Sequence, residues 1–254
     1  MWSAHPAFEV LSPWLPDDDR PDPARLNAIV ERATQHRRPR TRSGAVIRFE
    51  HSTAGRKPKA LEYERAIHNT GLVALRPHDW HDAFSALCWI AWPHLKAEIN
   101  GIHVLHGRQS SARRGAVRDT LTLLDESGLL VLSADEALSM LLMQRRWKQL
   151  FVDHRDDVAR SMRFLACGHA LFDKLRAPYP SITGRALILS APAVIVGETI
   201  DTQRRYAEAM SCATILRHVE APPPTIALPI AGIPGWNPAN AEEAFYDDAA
   251  IFRP

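Results

Sequence analysis

Apolar residues recur every three or four positions along most of the chain, a spacing typical of helices that bury one face. This pattern predicts helices over 23–33, 59–69, 80–92, 94–105, 117–124, 136–145 and 199–216, with one or two more within 147–175. The helix at 136 follows a capping-box pattern that begins at Ser133. Since a proline disfavours helical backbone in the residue before it, Pro93 predicts a break at Trp92 and a new helix from His94.

Short apolar runs predict the strands, and Pro-rich stretches mark both ends of the chain. The runs lie at 45–50, 129–132, 186–189 and 193–196, while 109–115 is predicted as a loop and 125–128 as a turn. Residues 1–23 and 221–254 are predicted as extended arms whose aromatic residues pack back on a body formed by 24–220. We therefore expect an α+β fold, a helix-rich single domain over 1–254 with a few short strands.

Composition narrows the class of protein. The chain has 254 residues, of which 46% are hydrophobic and 24% charged, and this favours a folded domain over a disordered chain. A net charge of +2 gives no reason to expect nucleic acid. Three widely spaced cysteines argue against disulfides and a zinc knuckle, and Cys88 and Cys167 are predicted as buried thiols. With no apolar span long enough for a membrane and no signal-peptide pattern, we expect a cytoplasmic protein.

A series of motifs runs from Trp80 to the end of the chain. They are Trp80-His-Asp-x-Phe-x-Ala-Leu-x-Trp, Pro93-x-x-Lys96-x-x-x-Asn100-x-x-His103, Arg118-Asp-x-Leu-Thr-x-x-Asp-Glu-x-Gly128, Trp147-Lys-x-Leu-Phe151, Gly168-His-Ala-Leu-Phe172, Leu228-Pro-x-x-Gly-Ile-Pro-Gly-Trp236 and Phe245-Tyr-Asp-Asp…Phe252-Arg-Pro254. Together they resemble the bacterial domain-of-unknown-function family numbered 3025, and one departure is Ser85, where the family pattern has Asn. The resemblance implies one family-wide fold over nearly the whole chain and no particular activity.

The segment 78–103 is the strongest candidate for a functional site, because titratable side chains there adjoin the most apolar, Trp-rich stretch of the protein. His81 and Asp82 fall near the start of the predicted helix 80–92. Lys96, Asn100 and His103 follow at i, i+4 and i+7, which places them in one stripe of the next helix. If the break at Pro93 folds the second helix beside the first, His81 and His103 come together.

A second group of polar residues lies on the predicted helix 117–124 and just after it. Asp119, Thr122 and Glu126 share one helical face, with Arg118 and Asp125 adjacent. Carboxylates near histidines are common material for a divalent-metal site, while a local turn with an Arg–carboxylate pair is the alternative. His169 lies in an apolar run after a glycine, which favours a core histidine over a ligand, and Gly168 would permit a close backbone approach.

From these residues we predict a metal-assisted hydrolase that acts on a small or phosphorylated substrate and uses one divalent ion. The predicted metal ligands are His81, Asp82, His103 and Asp119. Glu126 is predicted as the general base, with Lys96 and Arg118 stabilising developing negative charge. Asn100, Trp80 and Thr122 are predicted to bind the substrate.

Two other interpretations stay open at this point. The protein could be a non-catalytic binding protein that holds an anionic small molecule through Lys96, Arg118 and Asn100. Alternatively, the polar residues could form a buried hydrogen-bond network that only specifies the fold. The sequence has no GxGxxG, GxxxxGK[ST], HExxH or GxSxG motif, which disfavours dinucleotide binding, P-loop phosphate binding, zincins and α/β-hydrolases. It leaves the oligomeric state open.

Overall fold

The computed structural model describes residues 2–15, 19–33, 38–52, 60–107 and 112–253, and most of them are helical. The helices are α1 (Pro23–Arg32), α2 (Ala60–Thr70), α3 (Trp80–Ala91), α4 (Pro93–His106), α5 (Ala112–Ser127), α6 (Glu136–Met143), α7 (Arg155–Ser161), α8 (His169–Leu175), α9 (Ala193–Val196) and α10 (Ile200–Arg217). A π-helical turn spans Gln149–Asp153. Within the described ranges, no helix combines the length and apolar character needed to cross a membrane.

The strands form two small sheets, as expected for an α+β domain. They are β1 (Arg48–His51), β2 (Leu72–Leu75), β3 (Gly128–Ser133), β4 (Met162–Ala166), β5 (Thr183–Ser190) and β6 (Thr225–Pro229). β1 and β2 pair in parallel and are connected through α2. The larger sheet has the order β4–β3–β5–β6, with β3 parallel to β5 and antiparallel to β4, and with β5 antiparallel to β6. Every residue of β3 is buried, which fits its central position in this sheet.

The predicted break at Pro93 is confirmed. Trp92 leaves helical geometry at φ −127° and ψ 54°, α3 ends at Ala91, and α4 begins at the proline. The open amides at the start of α4 are capped from α10, because the buried carboxylate of Glu208 accepts hydrogen bonds from His94 N at 2.8 Å and Leu95 N at 3.3 Å. The helix that carries Lys96, Asn100 and His103 is therefore fixed at its first turn.

Several predicted elements are wrong, each for a local reason. The predicted turn at 125–128 does not form, because α5 continues through Ser127 and β3 begins at the next residue. Of the predicted loop 109–115, residues 112–115 belong to α5, and the rest lies outside the described residues. The predicted strand 193–196 is a short helix, since a four-residue apolar run fits either element and here follows Pro192. Asp135, not Ser133, caps α6 through its side chain.

Three strands and the arms also correct the prediction. β2 was not predicted, β4 lies within 147–175, where only helices were predicted, and β6 lies in the predicted extended arm 221–254. The N-terminal arm is not extended, because Trp2–Ala4 and Pro6–Leu11 form 3-10 helices. Both arms nevertheless pack on the body as predicted, through buried residues such as Phe8, Leu11, Tyr246 and Phe252. The three cysteines are free, and Cys88 and Cys167 are buried as expected.

Candidate functional site

A cavity of about 520 Å³ opens among α2, α3, α4, α5 and the start of α8. Its apolar lining includes Ile67, Trp89 and Ile99, and its polar lining includes titratable side chains from each of these helices. A cavity of this size holds a small molecule, and convergent polar groups on an apolar wall are typical of ligand sites. The cavity is therefore the candidate functional site.

Three side chains from separate parts of the chain meet at one wall of this cavity. His81 comes from the first turn of α3, Glu126 from the last turn of α5, and His169 is the first residue of α8. One nitrogen or carboxylate oxygen of each lies within 4.8 Å of the others. The two imidazoles are closest, with 3.2 Å between His81 Nε2 and His169 Nε2. We call these residues the His81–Glu126–His169 cluster.

Two glycines explain why Glu126 and His169 come so close. Gly128, where α5 becomes β3, accepts hydrogen bonds through its carbonyl from Cys167 N at 2.9 Å and Gly168 N at 3.0 Å. A Cβ on Gly168 would lie 2.6 Å from the carbonyl oxygen of Glu126 and overlap the nitrogen of Gly128. The backbone before His169 therefore packs directly on the junction that carries Glu126, which is the close approach predicted for Gly168.

A buried ion pair lies directly behind the cluster. Lys96 Nζ donates to Asp125 Oδ1 at 2.6 Å, and Lys96 also lies over the Trp89 ring at 5.5 Å. Burial is the largest single influence on Asp125 and alone would raise its pKa, but the charge and hydrogen bond of Lys96, together with His169 and His103, lower it. Burial likewise opposes the charge on Lys96, and Asp125 raises the pKa of that ammonium above its usual value. Both groups are therefore charged at neutral pH.

The second oxygen of Asp125 orients His169. Asp125 Oδ2 lies 3.5 Å from His169 Nδ1, a buried nitrogen for which the described residues supply no hydrogen-bond partner. This distance is slightly longer than a normal hydrogen bond. Burial lowers the pKa of His169, so its imidazole is neutral at pH 7. A proton on Nδ1, facing the carboxylate, would leave the Nε2 lone pair of His169 directed at His81.

The spacing of the two imidazoles suits one metal ion. Nitrogens bound to zinc at the usual distance of roughly 2.0–2.1 Å lie about 3.3 Å apart in tetrahedral geometry, which matches the 3.2 Å between His81 Nε2 and His169 Nε2. Glu126 adds a carboxylate oxygen, so the donor set is two imidazoles and one carboxylate. Three protein ligands beside an open cavity are typical of catalytic zinc sites, whereas structural sites are closed by four.

A second buried carboxyl group lies on the α2 wall of the cavity. Glu64 Oε2 accepts a hydrogen bond from Asn100 Nδ2 at 2.7 Å, and Asn100 Oδ1 lies 3.3 Å from His68 Nδ1. Burial, reinforced by the negative charge of Asp125, raises the pKa of Glu64 despite this hydrogen bond. Glu64 therefore keeps its proton to higher pH than an ordinary carboxyl group and can act as a proton donor.

His103 and Arg118 also line the cavity. Burial lowers the pKa of His103 to about 4; the negative charge of Asp125 opposes this shift, and the positive charge of Arg118 reinforces it. His103 is thus a neutral imidazole at pH 7. The buried Nε of Arg118 has no hydrogen-bond partner among the described residues, in contrast to Arg76, whose guanidinium donates twice to Asp82 at 2.8 Å.

The predicted site residues divide between the cavity and its surroundings. Those that line it are His81, Asp82, Lys96, Asn100, His103, Arg118, Thr122 and Glu126. Arg76 donates hydrogen bonds to Asp82. Burial would raise the pKa of Asp82, but the hydrogen bonds and positive charge of Arg76 together lower it. Asp119 is exposed on α5 and is not among the lining residues, so it does not join His81. Trp80 packs instead against Trp2 and Phe84, under the guanidinium of Arg176.

Sequence reasoning missed the role of two residues here. His169 was expected to be a core histidine, and it is buried, but its ring faces His81 at the cavity wall. Glu64 lies on α2, a helix in which no candidate had been identified. For His169, the preceding glycine was the available signal, because a glycine before a buried titratable residue permits close packing of two backbones.

Residues 47–254 match the family model described as "Protein of unknown function (DUF3025)". The match includes all the cavity-lining residues described above and leaves the first 46 residues outside. Comparison with curated proteins and with solved structures finds no match. The cavity itself must therefore supply the functional argument.

Proposed function

The chain belongs to the DUF3025 family, whose description names no activity, and we propose from the chemistry of the cavity that the protein is a metal-dependent hydrolase of a small molecule. The observation that carries the proposal is the His81–Glu126–His169 cluster, with ligand atoms within 4.8 Å of one another at the wall of a cavity of about 520 Å³. Glu126 and His169 take the places that the sequence pattern gave to Asp82, His103 and Asp119.

The surroundings of the cluster support metal binding in a further way. A metal-ligating histidine usually directs its second nitrogen at a carboxylate, and this partner fixes the ring and strengthens the ligand. Asp125 stands in that position behind His169, at 3.5 Å, and Lys96 holds Asp125 in turn. The Lys96–Asp125 ion pair therefore acts as a positioning device, which differs from the charge-stabilising role first predicted for Lys96.

A divalent cation bound here would supply Lewis acidity and lower the pKa of a coordinated water molecule. The residues of the chain would do the rest. Glu64, whose pKa is raised by burial, would give a proton to the leaving group. Asn100 would hold Glu64 in place through the 2.7 Å hydrogen bond to Oε2. Trp89 and Ile99 would exclude water from the apolar side of the substrate.

The decisive experiment is zinc and manganese binding to untagged protein that has been stripped with a chelator and dialysed. Elemental analysis and calorimetric titration should give about one ion per chain. Because each residue supplies one ligand, His81→Ala, Glu126→Gln and His169→Ala should each weaken binding by well over tenfold. Asp119→Ala is the matched control, since it removes an exposed carboxylate from α5 without touching the cavity, and its affinity should equal that of the wild type.

Activity follows on the same samples, with p-nitrophenyl esters and phosphates as generic substrates. Hydrolysis should require the added metal, and Glu64→Gln should retain the metal while kcat falls about a hundredfold or more. The proposal fails if the wild type binds none of zinc, manganese and iron after reconstitution. It also fails if the three ligand variants bind metal as tightly as Asp119→Ala.

A further inference from the structure

The cavity has two polar levels, because α4 and α5 run antiparallel with matching positions. Lys96 pairs with Asp125 at one level, and seven residues further along α4 His103 lies near Arg118, seven residues earlier on α5. Seven helical residues rise by about 10 Å. The His81–Glu126–His169 cluster belongs to the first level, since Glu126 adjoins Asp125 and His169 contacts it. The backbone positions that carry the two levels are therefore about 10 Å apart along each helix.

The second level contains Arg118, a cation for which the described residues supply no counter-charge. Arg118 forms no ion pair with any residue that the structure describes, and its buried Nε has no acceptor there. The other arginine at the cavity, Arg76, lies against Asp79 at 3.0 Å and Asp82 at 2.8 Å. An unpartnered guanidinium nitrogen out of contact with water is costly, and its planar fork fits a carboxylate or a phosphate.

The neighbours of Arg118 favour an oxyanion over a neutral ligand. His103 is neutral at pH 7 because burial lowers its pKa to about 4, so it can donate one hydrogen bond without adding charge. The carboxylate whose charge acts most strongly on His103, Asp125, is already paired with Lys96 at 2.6 Å. The second level therefore has one uncompensated positive charge and one adjacent neutral donor.

The wall between the two levels includes apolar side chains. Ile99 lies between Lys96 and His103 on α4, and Thr122 lies between Arg118 and Glu126 on α5, and both line the cavity. Ile67 and Trp89 add further apolar lining. A ligand that spans the levels would place hydrocarbon along this wall, where burial of apolar surface is favourable.

We infer that the substrate is an elongated small molecule with an oxyanion, a carboxylate or a phosphate, at the end bound by Arg118 and His103. An apolar segment passes Ile99, and the bond to be hydrolysed lies about 10 Å from the oxyanion, at the His81–Glu126–His169 cluster. The position of the hydrolysed bond rests on the proposed function. The oxyanion site does not, because it is formed by residues outside the cluster.

The oxyanion site is tested first in metal-free protein, by calorimetry with hexanoate, hexyl phosphate and hexanol. At least one anion should bind more tightly than hexanol, and the tighter of the two identifies the oxyanion. Arg118→Gln should weaken the binding of that anion by roughly tenfold to a hundredfold, as expected for a lost charged hydrogen bond. Arg205→Gln is the matched control, because it makes the same change of charge at an exposed arginine on α10.

Chain length is tested next in zinc-loaded protein, with succinate, adipate, suberate and sebacate. If one carboxylate binds the metal and the other Arg118, affinity should increase to a maximum at suberate or sebacate, and Arg118→Gln should abolish this dependence. Equal binding of hexanol and both anions to metal-free protein would overturn the oxyanion site. If the protein binds zinc but its affinity does not depend on the length of the dicarboxylate, the inferred spacing of about 10 Å is overturned and the oxyanion site is not. Failure to bind zinc counts against the proposed function.

Discussion

Two sets of polar side chains face the same cavity, and they differ in whether the protein itself satisfies them. Lys96 and Asp125 form an ion pair at 2.6 Å, and Arg76 and Asp82 form another at 2.8 Å. By contrast, Glu126 and Arg118 form no ion pair with any described residue, although both line the cavity, and His81 and His169 contact each other at 3.2 Å. The first set is ion-paired among the described residues, and the second set directs its side chains into the cavity.

This difference separates two of the interpretations that the sequence left open. A polar network that only specifies a fold should satisfy its members, because a partly satisfied buried network costs more than an apolar core. The ion pairs meet that requirement, whereas His169 Nδ1 and Arg118 Nε have no hydrogen-bond partner among the described residues. His169 and Arg118, whose nitrogens lack hydrogen-bond partners among the described residues, are therefore better evidence for function than the ion pairs, even though the ion pairs are stronger interactions.

The largest effect on stability should come from breaking an ion pair of the first set. Asp125→Ala would leave the Lys96 ammonium buried without a counter-charge, so the free energy of unfolding should fall by about 3 to 5 kcal/mol. Urea denaturation of metal-free protein measures this change. Glu126→Gln, one residue away, should change stability by far less than Asp125→Ala. Equal destabilisation by the two substitutions would remove the distinction between the two sets.

Acid should act on the protein through His103. Its pKa is about 4 in the folded protein, against 6.5 for a histidine in water, so the unfolded chain binds the proton first as pH falls. Stability should therefore be complete above pH 6.5 and decrease towards pH 4, by at most about 3 kcal/mol from this residue. Urea midpoints from about pH 7.5 to 4 should fall less steeply for His103→Gln. The same slope in both proteins would contradict the burial of a neutral His103.

Gly168→Ala should lower both the stability of the protein and the zinc affinity of the His81–Glu126–His169 cluster. The added Cβ would overlap Gly128 and the carbonyl of Glu126, so we expect a loss of about 1 to 3 kcal/mol together with weaker zinc binding, because His169 is displaced. Gly197→Ala is the control, since its Cβ would lie 3.7 Å from the nearest atom. Unchanged zinc affinity in a destabilised Gly168→Ala would mean that the close packing does not position the cluster.

Much of the fold was predictable, because its signals are local. The helices around Pro93 follow from the geometry of proline, and the strands 129–132 and 186–189 follow from short apolar runs. β4 was missed because its burial does not alternate: Arg163 and Phe164 are both partly buried in the strand. The turn expected at 125–128 was wrong because α5 joins β3 directly, and local turn chemistry does not distinguish such a junction from a turn.

The candidate site was predictable only in part, since its members converge from distant segments. The apolar setting of His81 and the stripe Lys96, Asn100 and His103 identified real cavity residues. Helical periodicity placed Asp119 and Glu126 on one face, yet Asp119 is exposed while Glu126 lines the cavity. Which carboxylate meets His169 depends on how β3 and β4 pair, and that is a tertiary fact absent from any single helix pattern.

The direct junction between α5 and β3 constrains the number of residues in this segment more tightly than it constrains their identities. One residue inserted between Glu126 and Gly128 would rotate α5 by about 100° relative to the sheet, or shift β3 by one position and reverse which of its faces each side chain occupies. With no loop to absorb the change, Glu126 and Arg118 would leave the cavity together. Natural variation in this segment should therefore consist of replacements, while insertions and deletions collect elsewhere.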